Sequence, residues 1–556
     1  MSTTAIPAMT SGGTPVLLLK EGSSQTQGKN IQRNNITAAR LISEIVKTSI
    51  GPRGLDKMLV DSLGDVTITN DGATMLKEMD VQHPAAKMLI EVAKATDNEV
   101  GDGTTSAVIL AGALLDKAEE LLDKDIHPTV IVDGYTKASQ RAIESLESIA
   151  EKVSPKSRES LTKVACTSMQ TKLVARESQE LAEVVVDAAL RVADEQAEGR
   201  YKVDIDNVKV EKKPGGSLVD TKLIEGIILD KEVVHAGMPK RIENAKIALI
   251  NSPFEIEKTE FDAKLNINEP SMMKKFLDEE TNMLRGMVDK VAAAGANVVV
   301  CQKGIDDTAQ HYLAKAGVLA VRRAKESDMT KLAKATGASI VTNFDDLSAK
   351  ELGSADLVEE RKIEEDKWVF IEGCRNPKAV TLFIRGGSQR VIDEAERSIH
   401  DALMVTKDVL EKPAIVAGGG AAEEEAADQV LSWSEKLTGR EQLAAQKFAE
   451  ALETIPINLA RNAGLDPIDS QVELRAKHAE GMKWYGVDAI EGKMANMYQK
   501  EVWEPLAVKE QYIRSATEAA CMLLRIDDMI AAGKSKTETK PPKSGGDSEG
   551  GSSDLD

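Results

Sequence analysis

Cysteine is scarce in this 556-residue sequence, and its four cysteines lie far apart. Cys166, Cys301, Cys374 and Cys521 form no C-x-x-C pair, so neither a disulfide framework nor a zinc site is predicted. No uninterrupted apolar run approaches the roughly 18 residues needed to span a bilayer. The first residues also lack the basic and apolar regions of a secretion signal. These absences predict a soluble, cytoplasmic protein that has no membrane partner.

Aromatic residues and positive charge are also in short supply. Phe, Trp and Tyr make up 3% of the chain, whereas hydrophobic residues make up 42%. This composition predicts a folded protein whose core is aliphatic, and the length suffices for two to four domains. Lys and Arg number 71 against 91 Asp and Glu, which gives a net charge of −20. A uniformly acidic chain repels phosphate backbones, so nucleic acid is not expected as a partner.

Several catalytic signatures are missing. There is no G-x-x-x-x-G-K-[ST] sequence, which disfavours a P-loop ATPase, and no G-x-G-x-x-G sequence follows a strand. The 6 histidines form no H-x-x-H or H-E-x-x-H pair, so a transition-metal site is not predicted. No G-x-S-x-G elbow connects a predicted strand to a helix, which argues against a serine hydrolase.

Residues 30–150 have the periodicity of long helices interrupted by glycine corners. Helices are predicted over Ile36–Ile50, Ala85–Val100 and Thr104–Leu122. Between the first two, Met58–Asn70 has the alternation of a β-hairpin.

The middle of the chain has a different pattern. Strand and helix signals alternate over residues 291–342, which predicts βαβ units on a parallel sheet. Helices return at about residue 379 and include Val391–Leu410. Because the two helical ends resemble each other more than the middle, we predict an α/β domain inserted into a helical one. Residues 1–14 and 533–556 are predicted to be a flexible N-terminus and a disordered tail.

The most informative stretch is GDGTTS, Gly101–Ser106. Asp102 lies between two glycines, so the backbone can approach a ligand while the carboxylate reaches a hard cation. Thr104 and Thr105 begin a helix, whose free N–H groups and positive dipole end favour phosphate. The alternative is a glycine corner with a threonine N-cap, which is the simpler interpretation of GDG alone.

Three further glycine corners carry weaker signals. SIGPRG (Ser49–Gly54) is typical of a helix C-cap, TNDGAT (Thr69–Thr74) of a turn, and AGGG (Ala417–Gly420) of a linker. Asp401 and Lys172, taken singly, are ordinary solvated side chains. The order of these motifs around an α/β insert is more specific than any one of them.

In that order the motifs resemble the group II chaperonins, the family of the archaeal thermosome and the eukaryotic cytosolic chaperonin ring complex. The resemblance extends from about Pro15 to Ala532, and the thermosome is the closer likeness. The stretches that carry it are LLLKEG (Leu17–Gly22), TSIGPRGLDKMLVD (Thr48–Asp61), TNDGATMLKEMDVQHPAAKML (Thr69–Leu89), GDGTTSAVILAGALL (Gly101–Leu115), IVAGGGAAE (Ile415–Glu423) and WEPLAVKEQYIRSATEAA (Trp503–Ala520). The tail lacks the Gly-Gly-Met repeats common in the family.

The resemblance implies a multidomain α and α/β fold. It assigns a helical equatorial ATPase domain to residues 15–153 and 412–532, a discontinuous intermediate hinge domain to 154–223 and 378–411, and an inserted α/β apical domain to 224–377. A helical protrusion at about residues 251–280 is expected to act as a built-in lid. Family members form double rings of about eight subunits per ring, so the expected partners are other copies or paralogous subunits and non-native proteins.

The resemblance also implies ATP and Mg²⁺ as cofactors. Phosphate contacts are expected at Gly51, Asp102, Gly103, Thr104, Thr105, Ser106 and Lys172, with Asp102 holding Mg²⁺. Ribose and base contacts are expected at Gly419, Asp488 and Glu504. Asp71 and Asp401 are expected to be catalytic and to orient or deprotonate the attacking water. Asp401 belongs to the hinge, so it would reach the nucleotide only when the hinge closes.

These assignments predict an ATP-dependent chaperone that encloses non-native proteins and promotes their folding. One alternative is a passive holdase or assembly scaffold, and the set Asp71, Asp102 and Asp401 argues against it. The other is a small-molecule kinase, for which the sequence shows no acceptor site. Ring assembly would also use the edge of the Met58–Asn70 hairpin, to which Val16–Leu19 and the carboxyl-terminal part of a neighbour could add strands.

Overall fold

Long helices dominate the first third of the chain, because its apolar residues recur at helical spacing. The computed structural model describes residues 7–9, 15–17, 24–27, 29–196, 200–256, 270–374 and 378–531. The elements up to residue 192 are β1 (Pro7–Met9), β2 (Pro15–Leu17), β3 (Ser24–Gln27), α1 (Lys29–Lys47), β4 (Lys57–Val60), β5 (Val66–Thr69), α2 (Gly72–Glu78), α3 (Pro84–Val100), α4 (Thr104–Asp123), α5 (Pro128–Ile149), β6 (Glu151–Lys152), α6 (Arg158–Met169) and α7 (Ser178–Val192). The predicted hairpin and the helices predicted over Ala85–Val100 and Thr104–Leu122 agree with these bounds to within one residue. The helix predicted over Ile36–Ile50 begins at Lys29 and ends at Lys47.

Strands and shorter helices make up the middle of the chain. They are β7 (Ala193–Glu195), β8 (Tyr201–Val203), β9 (Val208–Pro214), β10 (Lys222–Ile224), β11 (Gly226–Leu229), β12 (Arg241–Ile250), α8 (Pro270–Ala294), β13 (Val298–Cys301), α9 (Asp307–Lys315), β14 (Leu319–Val321), α10 (Glu326–Thr336), β15 (Ile340–Val341), β16 (Gly353–Ile363), β17 (Asp366–Glu372) and β18 (Val380–Gly386).

Helices then return, as predicted. The remaining elements are α11 (Gln389–Glu411), β19 (Ala414–Ala417), α12 (Ala421–Ser434), α13 (Arg440–Leu452), α14 (Thr454–Asn462), α15 (Pro467–Ala479), β20 (Tyr485–Asp488), β21 (Lys493–Asn496), β22 (Trp503–Pro505), α16 (Leu506–Leu524) and β23 (Asp528–Ala531).

The large sheet of the middle region is mixed, not parallel. Its strand order is β11-β17-β16-β12-β13-β14, with β15 beside β12. Strands β12, β13, β14 and β15 run parallel, as the alternation over residues 291–342 predicts. The antiparallel half, β11-β17-β16-β12, was not predicted. Charged residues recur through β16 and β17, so these strands lack the apolar run of a buried parallel strand.

Two large clusters of buried hydrophobic residues divide the described chain. One draws on residues 36–208 and again on residues 380–524. The other lies wholly within residues 227–379 and fills the faces of the mixed sheet. A three-stranded sheet, β10-β18-β9, lies where the chain leaves the first cluster and where it returns. The chain is therefore multidomain, with α and α/β parts, and the α/β part is inserted into the sequence of the helical part.

The helical cluster is centred on α4, which is apolar on nearly every face of its first three turns. Helices α1, α3, α13 and α16 pack around it. The helices α1 and α4 approach closely at Gly112, where an added Cβ would lie 2.4 Å from Ser43 Cβ. Because protein interiors are close-packed, this crossing tolerates only glycine without a shift of one helix.

The terminal strands pair within the chain. Strand β3 pairs antiparallel with β23, and β1 pairs antiparallel with β2, so residues 7–9 form a strand inside the segment predicted to be flexible. The hairpin β4–β5 forms its own two-stranded sheet and pairs with no other described strand. Its side chains Met58, Val60 and Leu63 are exposed. The predicted tail, residues 533–556, lies outside the described residues.

A buried group of charged side chains lies where α12 meets α15. Burial alone would raise the pKa of Glu425, but His478, whose Nδ1 lies 2.7 Å from Glu425 Oε2, helps to hold that pKa below its usual value. Burial raises the pKa of the adjacent Glu424 to about 8, and the Glu453 carboxylate adds to the effect. The pKa values of two neighbouring carboxyl groups on one helix are thus shifted in opposite directions.

We expect Glu424→Gln to stabilise the protein above neutral pH. The folded state holds a proton on Glu424 up to pH about 8, whereas an unfolded glutamate releases it near pH 4.3, so stability falls by up to about 1.4 kcal/mol per pH unit between these values. The thermal midpoint of the variant should exceed that of the wild type at pH 8 and match it at pH 4. Glu425→Gln is the matched control, because it removes a paired carboxylate and should lower the midpoint. Equal midpoints for Glu424→Gln and wild type at pH 8 would contradict the assignment.

Within the described part of the chain, no helix combines the length and the apolar character that crossing a membrane requires.

Candidate nucleotide-binding site

A cleft of about 320 Å³ lies between the amino-terminal helices and the carboxyl-terminal third of the chain, and both line it. Its volume is typical of a small-molecule site. The predicted site residues that line it are Gly51, Asp71, Asp102, Gly103, Thr104, Thr105, Ser106, Lys172, Gly419, Asp488 and Glu504. Asp401 is the exception, because it lies behind Lys172 and does not line the cleft. Folding therefore brings together motifs that are more than 300 residues apart in the sequence.

Helix α4 begins at the wall of the cleft. Gly103 is its N-cap, with a φ of +75°, and offers no side-chain hydrogen bond to the first turn. The N–H groups of that turn therefore keep their hydrogen-bonding capacity, and the helix dipole adds positive potential. An anion seated here gains from both effects. The threonine N-cap considered above is wrong, because Thr104 is already helical.

Two glycines hold this loop against its neighbours. A Cβ added at Gly101, whose φ is +68°, would lie 2.3 Å from Met404 Cβ on α11. A Cβ added at Gly72 would lie 2.5 Å from Thr105 Oγ1. The start of α4 is thus packed between α11 and α2. Because these contacts leave no free space, a displacement of α11 would also displace the loop.

The corner at Gly51 forms another part of the wall. Its φ is +82°, and an added Cβ would lie 2.5 Å from Leu459 Cδ2 on α14. Asn462 fixes the corner by donating from Nδ2 to the carbonyl oxygens of Lys47 and Ile50, each at 2.9 Å. The helix α1 therefore ends at a fixed point beside the cleft, with its last peptide groups held in place.

Asp71 is a buried carboxylate with a structural task of its own. It is the N-cap of α2, and its Oδ2 accepts a hydrogen bond from the Thr74 N–H at 2.8 Å. Its Oδ1 accepts one from Thr104 Oγ1 at 3.4 Å. Burial alone would raise the pKa of Asp71, but the Lys172 ammonium and these hydrogen bonds hold it below its usual value. Asp71 is therefore ionised at neutral pH.

Lys172 joins two carboxylates at the back of the cleft. Its Nζ forms an ion pair with Asp401 Oδ2 and lies 4.0 Å from Asp71 Oδ1, and all three side chains are less than one tenth exposed. Burial raises the pKa of Asp401 above its usual value, although Lys172 opposes the shift. The two carboxylates thus differ: Asp71 is the weaker base, and Asp401 is the better proton acceptor.

Asp97 and His400 lie close to the cluster of Asp71, Lys172 and Asp401, and neither of them lines the cleft. Burial raises the pKa of Asp97 to about 6, and the carboxylates of Asp71 and Asp401 add to the shift. His400 Nδ1 lies 3.9 Å from Asp401 Oδ1, and that carboxylate raises the pKa of His400. Two further titratable groups therefore lie beside Asp401, and both have raised pKa values. The sequence carries no motif that identifies them.

The opposite wall of the cleft is formed by the hairpin β20–β21 and by the AGGG loop. Asp488 Oδ1 accepts hydrogen bonds from the Ile490 and Glu491 N–H groups at 3.1 and 3.0 Å, and Lys500 Nζ lies 3.2 Å from Asp488 Oδ2. A Cβ added at Gly419, whose φ is +66°, would lie 2.9 Å from the carbonyl oxygen of Val487. This part of the wall therefore contains the fixed carboxylate of Asp488. Beside it, the backbone at Gly419 packs closely against the backbone of β20.

The donor set suits a divalent cation that is bound together with phosphates. Asp102 lines the cleft beside Gly103, whose N–H donates to Asp102 Oδ1 at 2.6 Å. Among the described residues, no group of three or more His, Cys, Asp and Glu side chains is arranged to enclose a metal. Mg²⁺ in nucleotide sites takes one or two carboxylates and completes its shell with phosphates and water. One carboxylate beside an anion-binding helix start fits that pattern.

Comparison with known proteins identifies the family. Residues 42–534 match the TCP-1/cpn60 chaperonin family. The chain belongs to that family. The chaperonin is also similar, over nearly its full length, to archaeal thermosome subunits. A thermosome subunit alpha of Archaeoglobus fulgidus is 59% identical over 96% of this chain and 98% of that protein.

Two further relatives give the same picture. A thermosome subunit of Pyrococcus horikoshii is 57% identical over 98% of this chain and 99% of that protein. A thermosome subunit beta of Sulfurisphaera tokodaii is 55% identical over 97% of this chain and 98% of that protein. The resemblance to group II chaperonins is therefore confirmed. The chain is a chaperonin ring subunit that assists protein folding with ATP.

Sequence reasoning missed several side chains of the chaperonin's cleft. Glu423, Lys509 and Tyr512 line it from α12 and α16, and Lys500 lines it from the segment after β21. Three of these four are charged, but each lies in a helix or turn whose sequence is ordinary for a solvated face. For Glu423, Lys509 and Tyr512 the available signal was their presence inside the longer stretches that resemble the family, and Lys500 lies outside those stretches.

Proposed function

We propose that the cleft binds ATP with Mg²⁺ and hydrolyses it. The observation that carries this proposal is the convergence in one cleft of a free helix start, three glycine corners and the carboxylates Asp71 and Asp102. Phosphates would lie against Gly51 and the start of α4, with Mg²⁺ on Asp102. Gly419, Asp488 and Glu504 would contact the ribose and the base. Mg²⁺, when bound, would neutralise charge on the phosphates.

The chemistry at the back of the cleft would divide between the two paired carboxylates. Asp71, ionised and fixed by Thr74 and Thr104, would orient the attacking water. Asp401, whose raised pKa makes it the stronger base, would accept the proton of that water. Lys172 lies between Asp401 and the cleft, so a γ-phosphate would compete with Asp401 for its ammonium. The exchange would expose the Asp401 carboxylate only when the γ-phosphate is present.

This exchange would couple the nucleotide to the hinge. Asp401 lies on α11, which packs on α6 and α7 and contacts β18, the strand through which the chain returns from the α/β part. Gly101 clamps the phosphate loop to the same helix at Met404. A ligand drives such a change only through its differential affinity for two states. The contacts of Lys172 and Asp401 would supply that difference, and the hinge segments would be residues 154–223 and 378–411.

The α/β part, residues 224–377, would then be the apical domain that receives non-native proteins. The proposed protrusion at residues 251–280 includes residues 257–269, which lie outside the described residues. In the described helix α8, the side chains Met273, Phe276 and Leu277 are exposed. Such side chains suit transient contacts with apolar segments of a captive chain or with neighbouring protrusions that close the lid.

Assembly would proceed through the edge of the hairpin β4–β5. Its exposed apolar side chains and unpaired backbone groups suit strand addition, and the ribbon β3–β23 of a neighbouring subunit would supply the strands. We propose a cytoplasmic double ring of about eight copies or paralogous subunits per ring.

One experiment separates this cycling chaperone from a passive holdase. A denatured test protein is captured by the assembled chaperonin and then given ATP and Mg²⁺, or a non-hydrolysable ATP analogue, or no nucleotide. We expect the captive protein to become protected from added protease on nucleotide binding and to regain activity in high yield only with ATP. Equal recovery in all three conditions would support the holdase and contradict the proposal.

A further inference from the structure

A buried lysine lies between two glutamates beside the cleft. Lys509, on the first turn of α16, has its Nζ 2.7 Å from Glu423 Oε1 and 2.5 Å from Glu504 Oε2. The Lys509 side chain is 5% exposed and that of Glu423 1%, whereas that of Glu504 is 28% exposed towards the cleft. Glu504 is therefore the member of this triad that a ligand can reach.

The charges of the triad depend on the lysine. Burial raises the pKa of Glu504, and Lys509 opposes that shift. Glu423 has a second partner, because the Tyr512 hydroxyl donates a hydrogen bond to its Oε1. Lys509 is thus the cation that Glu504 faces in this network, and without it two carboxylates would share a dry site.

The lysine also fixes the direction of Glu504. Glu504 lies on β22, opposite Val416 on β19, which leads into the AGGG loop. A Cβ added at Gly418 would lie 2.3 Å from Glu504 Oε1. One carboxylate oxygen is therefore held by Lys509 while the other lies over the glycine loop, next to the part of the cleft proposed for the ribose.

The same turn of α16 supports the phosphate side of the cleft. A Cβ added at Gly103 would lie 3.0 Å from Val508 Cγ1 and 3.3 Å from Tyr512 Cδ1. Val508 and Tyr512, which lie on either side of Lys509 in the sequence of α16, therefore pack against the N-cap of α4. Position 509 is the one from which this helix reaches Glu504.

We propose that Lys509 is a positioning residue that holds Glu504 as an oriented carboxylate, so that the cleft selects nucleotides carrying ribose hydroxyls over deoxynucleotides. The inference rests on the proposed function, because it takes the ligand to be ATP. A carboxylate that accepts a hydrogen bond from a sugar hydroxyl contributes roughly 10- to 100-fold in affinity. Lys509 would therefore maintain a preference of this size for ATP over a deoxynucleotide that lacks the hydroxyl.

The test measures the dissociation constants of ATP, 2′-deoxy-ATP and 3′-deoxy-ATP for the assembled protein by calorimetry. Because Lys509→Met alone leaves two unpaired buried carboxylates, the double variant Lys509→Met/Glu423→Gln is measured beside it. Lys209→Met is the matched control, since Lys209 is a buried lysine that is paired with two carboxylates and does not line the cleft. Glu504→Gln reports whether the carboxylate recognises the sugar at all.

We expect the wild type and Lys209→Met to prefer ATP over at least one deoxynucleotide by roughly 10-fold or more. Both Lys509 variants and Glu504→Gln should lose most of that preference at neutral pH. In the Lys509 variants the preference should return at a higher pH than in the wild type, as Glu504 ionises. A purely structural role of Lys509 would weaken all three nucleotides equally at every pH.

The outcomes separate the two proposals. If Glu504→Gln loses the preference while the Lys509 variants keep it, the positioning role is overturned and the nucleotide site stands. If the wild type binds ATP without any preference, the inference is likewise overturned. If the wild type binds none of the three nucleotides, the proposed function itself fails.

Discussion

Replacing Asp401 by asparagine is expected to slow ATP hydrolysis by about 10²- to 10⁴-fold, the usual loss when a general base is removed. The variant should still bind ATP at least as tightly as the wild type, because Asp401 does not line the cleft and no longer competes with the γ-phosphate for Lys172. The variant keeps the shape of the side chain and leaves Lys172 paired with Asp71. Single-turnover hydrolysis and calorimetric binding, measured on the same assembled protein, check both parts of the prediction.

Asp408→Asn is the matched control for this variant. Asp408 is another buried aspartate of α11, and burial raises its pKa to about 8, so that it is largely protonated at neutral pH. An asparagine there imitates the native state, and hydrolysis should be unchanged. If Asp401→Asn hydrolyses ATP at the wild-type rate, Asp401 has no part in the chemistry and Asp71 remains as the candidate base.

Replacing Lys172 by methionine is expected to lower both stability and hydrolysis. The change leaves Asp71 and Asp401 without their shared cation in a site that is less than one tenth exposed. Removing one partner of a buried ion pair costs about 3–5 kcal/mol, so the thermal midpoint should fall by several degrees. Hydrolysis should fall as well, because the proposed exchange of the ammonium between Asp401 and the γ-phosphate is lost.

Two controls separate these effects. The double variant Lys172→Met/Asp401→Asn removes one of the two unpaired charges, so it should recover part of the stability while hydrolysis stays low. Lys209 is a second buried lysine, paired with Glu211 at 2.8 Å and with Asp328 at 2.7 Å, and it does not line the cleft. Lys209→Met should therefore lower the midpoint without changing the affinity for ATP. Normal hydrolysis by Lys172→Met at a temperature where it is folded would contradict the role of Lys172.

Local sequence was enough to predict the elements that form the part of the cleft proposed to bind phosphate. The three residues between α3 and α4 leave room only for a tight corner, and two of them are glycines with positive φ, Gly101 and Gly103. The hairpin β4–β5 was predicted from alternation alone. These features depend on backbone sterics and on neighbours within a few residues, so they are visible in a one-dimensional pattern.

The proposed catalytic arrangement was less accessible from the sequence. Asp401 and Lys172 were assigned through the family resemblance, since each has the appearance of a solvated side chain in sequence. The structure pairs them across 229 positions of the chain and puts Lys172 between Asp401 and the cleft. No residue spacing encodes such a pairing, because it depends on how α11 packs against α6, the helix that precedes Lys172.

The sequence by itself determined the helical ends, the α/β insert and the glycine corners, because each of these follows from local periodicity and backbone freedom. The carboxylates of the site were identified through the family resemblance. Only the tertiary structure decided that the large sheet is mixed, that β3 pairs with β23 and that Lys509 joins Glu423 to Glu504. The physical reason is that burial and charge pairing act between residues close in space. A lysine becomes a fixed counter-ion only when the folded chain has removed the water around it.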